Sequence, residues 1–368
     1  MSKMKTYKIT LEPLDWFFFG GESTFDNSVK TSYIAHSNKF PQQAALLGLV
    51  RYQLLKQEGM LSRPNYTPNS QKVTELIGGE SFSLEKKDQC FGNIKALSPI
   101  FIEKEINETH QVVVFIPSTL TNTYHLSFEQ NVRVSLNGKE KECLICDNDS
   151  FDEKKYNNFL RFKNKNGEEL MLWDIFETRM QVGITKNTDY GQNDDNRFFK
   201  REMVRFKKDE KGEYSYRFAF YVDMDTNIKN DYVYLGAERS CFKMTVTEKT
   251  EGDSAQYIYM KDCANTPMNG RIEILSPTYV EEIERLNDLC DFHWSFQTPF
   301  RNITQAKNGK GKLNSGNVCY NRVSICYNML CPGTVLFFKE DKRVEIEKLL
   351  NNEHLKTIGY NYFNSMKR

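Results

Sequence analysis

The chain has 368 residues, 39% of them hydrophobic, which suits two soluble domains with a sizeable core better than a single compact one. Lysine and arginine total 50 against 49 aspartate and glutamate, so a net charge of +1 excludes any global attraction for nucleic acid or membrane, and an RNA site has to be local. Nine cysteines without regular spacing, and a start without a signal peptide or long apolar span, exclude a secreted disulfide framework and give the expectation of a cytoplasmic protein.

In chain order, Tyr7, Ile9 and Leu11 alternate with Lys8, Thr10 and Glu12, which predicts a half-buried strand ending at Pro13. Trp16 to Phe19 then run into Gly20 and Gly21, where the missing Cβ atoms let another backbone or a phosphate approach. Pro41 and Gly59 bracket a helix rich in Ala and Leu. Gly48 allows that helix to pack closely, and Arg51 follows its apolar run at the edge of the buried face, within reach of the glycine turn. Phe91 to Leu97 and Gln111 to Pro117 read as two further strands. Val132 to Leu136 and Lys139 to Ile145 flank Asn137-Gly138, a type I′ hairpin signal. Asp147 to Glu169 is charged and reads as a surface insertion.

After a polar loop, Asn196 to Lys208 interleaves six basic residues with aromatics, and Tyr216 to Asp225 is a strand. If the basic stretch is an arm, Phe198 and Lys200 share one face and Phe199 and Arg201 the other. Leu235 to Thr247 and Tyr257 to Met260 read as strands and Thr278 to Leu289 as a short helix. The segment from Phe292 to Lys339 contains no Asp or Glu, and its Lys307-Asn-Gly-Lys-Gly-Lys312 is a glycine-spaced basic loop able to follow a phosphate backbone. The chain closes with strand Thr334 to Phe338, helix Asp341 to Asn352, Gly359 and a short strand.

The EPLD strand end, the aromatic-to-glycine turn and the F-P-x6-G-x2-R pattern from Phe40 to Arg51 resemble a CRISPR RAMP protein, most closely the third subunit of type III-B Cmr effector complexes. Val182-Gly183-Ile184, Tyr234 to Arg239, Pro332 to Phe338 and Ile358 to Asn361 agree in order. The resemblance implies an α+β chain of two ferredoxin-like (RRM-like) domains with β-hairpin and loop insertions. Its expected parts are a ferredoxin-like core over 1–130, a hairpin, charged insertion and thumb-like arm over 131–215, and a second core over 216–368.

It further implies a non-catalytic subunit that binds crRNA, caps its 5′ handle and bridges the large polymerase-cyclase subunit to the backbone RAMP subunit, meeting target RNA only indirectly. No membrane, cofactor or metal is expected. The expected RNA-binding residues are Gly20, Gly21, Gln42, Gln43, Arg51, Arg197, Phe198, Phe199, Lys200, Arg201, Arg301, Lys307, Lys310, Lys312, Arg322 and Gly359. Where the family carries a basic residue in the first turn, this chain has Gly20-Gly21-Glu22.

Three other chemistries have weaker sequence signals. RAMP relatives that process CRISPR transcripts cut RNA without metal, typically through a histidine near the first helix, and His36 precedes Phe40 by four residues, with Lys39 as a cation for the phosphorane. A nucleotide cyclase needs paired carboxylates, whereas the GGES repeats at Gly20 and Gly78 offer one each. Cys143-Leu-Ile-Cys146 lacks a second pair at zinc-ribbon spacing, and the loop carrying Asp189, Asp194 and Asp195 reads as a turn.

Overall fold

Alternation in the first strand, Lys5–Pro13, places Tyr7, Ile9 and Leu11 on one face of a sheet, and all three are buried. The computed structural model describes residues 4–20, 33–61, 71–79, 81–119, 128–136, 139–146, 160–186, 193–249, 254–263, 271–301, 303–305, 320–322, 325–338 and 340–364. Lys5–Pro13 lies between Tyr214–Met224 and Cys241–Glu248, antiparallel to both, with Ile9 opposite Phe220 and Val246. The sheet runs Glu169–Met171, Leu160–Lys163, Gln111–Thr119, Phe101–Ile106, Tyr214–Met224, Lys5–Pro13, Cys241–Glu248, Asp231–Tyr234, and Ile94–Leu97 also pairs with Tyr214–Met224. It thus draws strands from all three of the expected segments.

The helix Gln43–Gln57 buries Leu46, Leu47, Leu49, Val50, Leu54 and Leu55 against the Ile9 and Leu11 face. Gly59 follows with φ 63°, a left-handed stop. On the opposite face sits the helix Ala255–Cys263, where Ala255 and Tyr259 meet Phe101 and Tyr221.

A four-stranded sheet near the C-terminus runs Phe292–Trp294, Val335–Phe337, Arg271–Ile274, Phe363–Asn364. In chain order it is strand, the helix Leu286–Leu289, strand, strand, the helix Arg343–Leu350, strand, with the first strand between the third and the fourth. In the large sheet Lys5–Pro13, Phe101–Ile106, Tyr214–Met224 and Cys241–Glu248 hold the same spatial order. There only the first crossover carries a helix, and Asp231–Tyr234 stands where the second would be. The chain is therefore α+β and strand-rich, with several antiparallel sheets and few helices among the described residues. The two units share one apolar core, because Phe300, Met329, Leu355, Ile358 and Tyr360 pack in the cluster of Ile9 and Leu11.

A third sheet, the arm, consists of Phe176–Lys186, Asn193–Phe206 and the parallel Tyr33–Ala35. The hairpin expected around Asn137-Gly138 is present as Phe128–Leu136 and Lys139–Cys146, with Leu136 opposite Lys139.

Two expectations are corrected. Tyr257 to Met260 is helical because Ser254 caps Ala255–Cys263, its Oγ accepting from the Tyr257 N–H at 3.1 Å, while the Asp223 carboxylate accepts from the Ala255 N–H at 2.9 and 3.1 Å, and the two together override the β preference of Tyr-Ile-Tyr. The end of the charged insertion is not surface: Leu160–Lys163 joins the large sheet and buries Phe162 completely.

Candidate functional site

The aromatic turn after Pro13 is a packing device. Phe17 is 1% exposed, with ring centroids 4.8 Å from Phe19 and 5.7 Å from both Phe218 and Phe242. The Phe18 N–H donates to Ser240 Oγ at 3.0 Å, and its carbonyl accepts from the Ala237 N–H at 2.9 Å. Gly236 makes this approach possible. It has φ 86°, and a Cβ there would sit 2.5 Å from the Phe18 carbonyl oxygen, which explains the glycine in Tyr234 to Arg239. The Phe19 N–H donates to Ser37 Oγ at 2.9 Å, Phe19–Gly20 pairs with Ser37–Asn38, and Asn38 Nδ2 donates to the Gly20 carbonyl at 3.3 Å. Gly21 lies outside the described residues.

From Asn38 the chain turns through Lys39, Phe40 and Pro41 into the long helix. Phe40 is locked against Phe162, Phe176 and Phe218 at 5.4, 5.4 and 5.7 Å. One wall of a cavity of about 550 Å³ is formed by His36 to Gln43, and the others by Pro99, Pro117, Pro277, Pro299 and Pro332 with Phe300 and Tyr360. It lies where the large sheet meets the C-terminal unit. Its lining is mainly apolar, with His36, Asn38, Lys39 and Gln42 as polar or charged groups. A ring or short apolar group fits such a lining better than a bare phosphate does.

The floor of this cleft is a joint. Gln43, 2% exposed, donates through Nε2 to the carbonyls of Ser98 and Gly359, each at 3.0 Å. Gly359 has φ 89°, and a Cβ there would collide with Gln43 Nε2 and lie 2.6 Å from the Ser98 carbonyl oxygen. Tyr360 is buried with its hydroxyl accepting from the Ala44 N–H at 3.3 Å, and burial pushes its pKa up. Gln43 and Gly359 therefore hold the two units together, and their polar atoms face protein. Gln42 differs, being half-buried at the helix start and on the cavity wall.

The other expected residues are distributed around this cleft. Arg51 lies beneath the loop between Gly78 and Gly92, its guanidinium 5.2 Å from the Phe91 ring centre, with Nε and Nη2 buried and unpaired. Burial lowers its pKa to about 10. Among the described residues, Arg51 thus meets Phe91, and no hydrogen bond joins its buried nitrogens to Gly20. In the arm, Phe198 stands opposite Ile184, Phe199 opposite Gly183, Lys200 opposite Val182 and Arg201 opposite Gln181. Arg197 occupies the same strand, and the side chains of 197–199 lie outside the description.

Arg201 is half-buried, donating to Gln181 Oε1 at 3.0 Å and ion-pairing with Glu238 of the Tyr234 to Arg239 loop. Lys200 and Arg301 are half-buried. Lys307, Lys310 and Lys312 lie outside the described residues, between the paired strands Ile303–Gln305 and Tyr320–Arg322, in which Arg322 is opposite Ile303.

Two arrangements were not expected. Trp16 meets two guanidinium groups, Arg179 at 4.5 Å and Arg205 at 4.4 Å from its ring centre. His36 stands on the cavity rim with Nδ1 3.4 Å from Glu202 Oε2, so it links the cleft to the arm. Residues some 165 apart in sequence leave no spacing signal; only the arm register, once known, brings Glu202 beside the loop. Among the described residues no group of three His, Cys, Asp or Glu side chains is placed to hold a metal ion.

Residues 9–364 match the model of the family described as CRISPR-associated protein (Cas_Cmr3). None of the curated proteins matches the chain. Among solved structures, a chain of the cryo-EM structure of the type III-B Cmr-beta bound to cognate target RNA and AMPPnP, state 1, is 13% identical, with 97% of this chain and 96% of that chain covered and a TM-score of 0.48. A chain of the same assembly bound to cognate target RNA is 12% identical over the same shares, also at 0.48. A chain of its apo state is 10% identical over 66% of this chain and 97% of that one, at 0.27.

Proposed function

We propose, on the premise that the chain belongs to the family of CRISPR-associated proteins (Cas_Cmr3), that it serves as a non-catalytic crRNA-binding subunit of a type III-B Cmr complex. In this reading it caps the 5′ handle of the crRNA and bridges the large polymerase-cyclase subunit to the backbone RAMP subunit. Both sheets are read as ferredoxin-like units, supported by their shared strand order, with the second helix of the first unit replaced by a hairpin strand.

The observation that carries the reading is the cleft between the units, apolar inside and joined at its rim through His36 to the basic arm. Single-stranded RNA needs apolar or aromatic surface for unstacked bases and cations along the phosphates, and the cleft and arm supply these side by side. Lys39 at the rim and Lys200 on the arm are the described cations beside the cleft, and the reading also counts Arg197, Arg301, Arg322, Lys307, Lys310 and Lys312 as phosphate contacts.

A second reading, a metal-independent endoribonuclease, is favoured by the His36–Glu202 pair, since a carboxylate against one imidazole nitrogen orients the other toward a substrate hydroxyl. One set of measurements separates the two. Titration of an RNA carrying a handle should give a slope of log K against log salt that falls by about 1.4 when Lys39 and Lys200 are both changed to alanine, at roughly 0.7 per phosphate. The wild type should leave that RNA uncut in chelator, and His36→Ala should barely change affinity. An unchanged slope removes the cleft from the RNA path. Cleavage that leaves a cyclic phosphate and falls about 10² to 10⁴-fold in His36→Ala establishes the nuclease instead.

A further inference from the structure

Among the described residues the arm has one bare edge. Phe176–Lys186 ends its sheet, paired only with Asn193–Phe206. Val204 of that neighbour exchanges both backbone hydrogen bonds with Phe17, at 2.7 and 3.0 Å, so its N–H and C=O point away from Phe176–Lys186. In an antiparallel ladder the residue opposite such a position also turns its backbone groups away. That residue is Thr178. The strand period of two carries the same orientation to Met180 and Val182, ahead of the register shift between Ile184 and Lys186. Three consecutive outward N–H and C=O pairs therefore line the free edge, and among the described residues none has a partner.

Their side chains fit the same picture. Met180 and Val182 are 47% and 56% exposed and share one face. On the other face Arg179 is exposed, steadied over Trp16, and without a carboxylate partner among the described residues. Between Thr178 and Val182 there is no proline, no bulge and a single charge, so the devices that usually blunt a long edge are missing where the backbone is free.

We propose that Thr178 to Val182 accepts one extended strand from another protein chain, paired backbone to backbone, with two apolar side chains beside Met180 and Val182 and a carboxylate opposite Arg179. Only a strand satisfies a row of outward backbone donors and acceptors at this spacing, and the apolar face and the lone cation dictate the alternation of the incoming residues. A second copy of this chain matches less well. Antiparallel self-pairing centred on Met180 sets Gln181 opposite Arg179. Shifting the centre to Thr178 brings Glu177 opposite Arg179 but places Met180 against Phe176, whose N–H is already bound by the Leu172 carbonyl. The inference does not depend on which RNA, if any, the cleft holds.

The test is amide hydrogen exchange on the full chain with a seven-residue synthetic peptide of alternating valine and threonine carrying one aspartate. The amides of Thr178, Met180 and Val182 should exchange freely in the protein alone and about tenfold more slowly with saturating peptide. A peptide with lysine in place of aspartate should bind about fivefold more weakly, because a like charge replaces the pair with Arg179. Met180→Pro removes one outward N–H and no ladder bond, so the protein should keep its melting temperature and lose the peptide. Unchanged exchange at the three amides, or equal binding by Met180→Pro, overturns the proposal. So does a dimer in sedimentation with these amides protected from the start, which makes a second copy the occupant.

Discussion

The joint beneath the cleft relies on uncharged polar groups and the arm beside it on charged ones, to opposite ends. In the joint, Gln43, Ser98, Gly359 and Tyr360 turn every described contact inward, and the helix Ala255–Cys263 is wedged on the other face of the large sheet by the buried Asp223. In the arm, whose strands are anchored in the core by Phe176, Val204 and Phe206, the described contacts of Arg201, Glu202 and Arg205 are ion pairs and a stacked ring nearer solvent. Polar residues of the joint fix geometry, because a buried polar group without its partner is costly. Those of the arm remain available for exchange with another molecule, because water offers them nearly the same interactions.

The sharpest way to break the contrast is Gly359→Ala. The left-handed backbone and the collision with Gln43 and Ser98 together should cost about 3 kcal/mol or more in denaturant unfolding. Gly59→Ala, also left-handed but with open space around it, should cost only about 1 kcal/mol. Equal costs would mean that the joint contributes nothing beyond backbone strain.

Asp223 sharpens the comparison through pH. Burial raises its pKa, against hydrogen bonds from Thr6 Oγ1 and the Ala255 N–H that lower it. A carboxyl with a folded pKa above its unfolded one binds its proton more tightly when folded, so stability falls as pH rises from the ordinary carboxylate range through the raised value. Asp223→Asn keeps the acceptor oxygen and should abolish that fall, seen as wild-type and variant stabilities converging at low pH and separating above it. Parallel curves would show that the buried carboxyl carries no net penalty.

The smallest effect belongs to the arm. Arg201 and Glu238 form an ion pair whose glutamate is 45% exposed, and a double-mutant cycle with alanine should return no more than about 1 kcal/mol of coupling. A larger coupling would place the arm with the joint as a structural element.

What was legible in the chain follows the range of the interactions. Lys5–Pro13, the hairpin around 137–138, the Gln43–Gln57 helix and the closing strand, helix and strand are local patterns of period two or 3.6, bracketed by Pro and Gly, and each stands where the pattern puts it. Phe101–Ile106 shows no clear strand pattern in the sequence, because Glu103, Lys104 and Glu105 interrupt its apolar residues. Glu103 is nevertheless fully buried, held by Lys8 at 2.7 Å and Arg217 at 2.8 Å from strands that pairing brings near. The helix at Ala255–Cys263 has a local cap in Ser254, but its first N–H is bound by Asp223, 32 residues upstream, a contact that only the fold supplies. The cleft is legible only in part: Gln42, Gln43 and Gly359 could be named from motif order. That the last two act as a clasp, and that five prolines from separate segments wall the cavity, is set by tertiary packing.

The place of Lys5–Pro13 in the middle of the large sheet has a consequence for the protein's birth. It is synthesised well ahead of both neighbours, Tyr214–Met224 and Cys241–Glu248, which follow more than 200 residues later. At roughly 5 to 20 residues per second, an apolar strand with two open edges waits about 10 to 50 seconds for its first partner. A nascent chain halted before residue 214 therefore holds its future central strand unpaired, the state in which a chaperone or a stray strand finds it first.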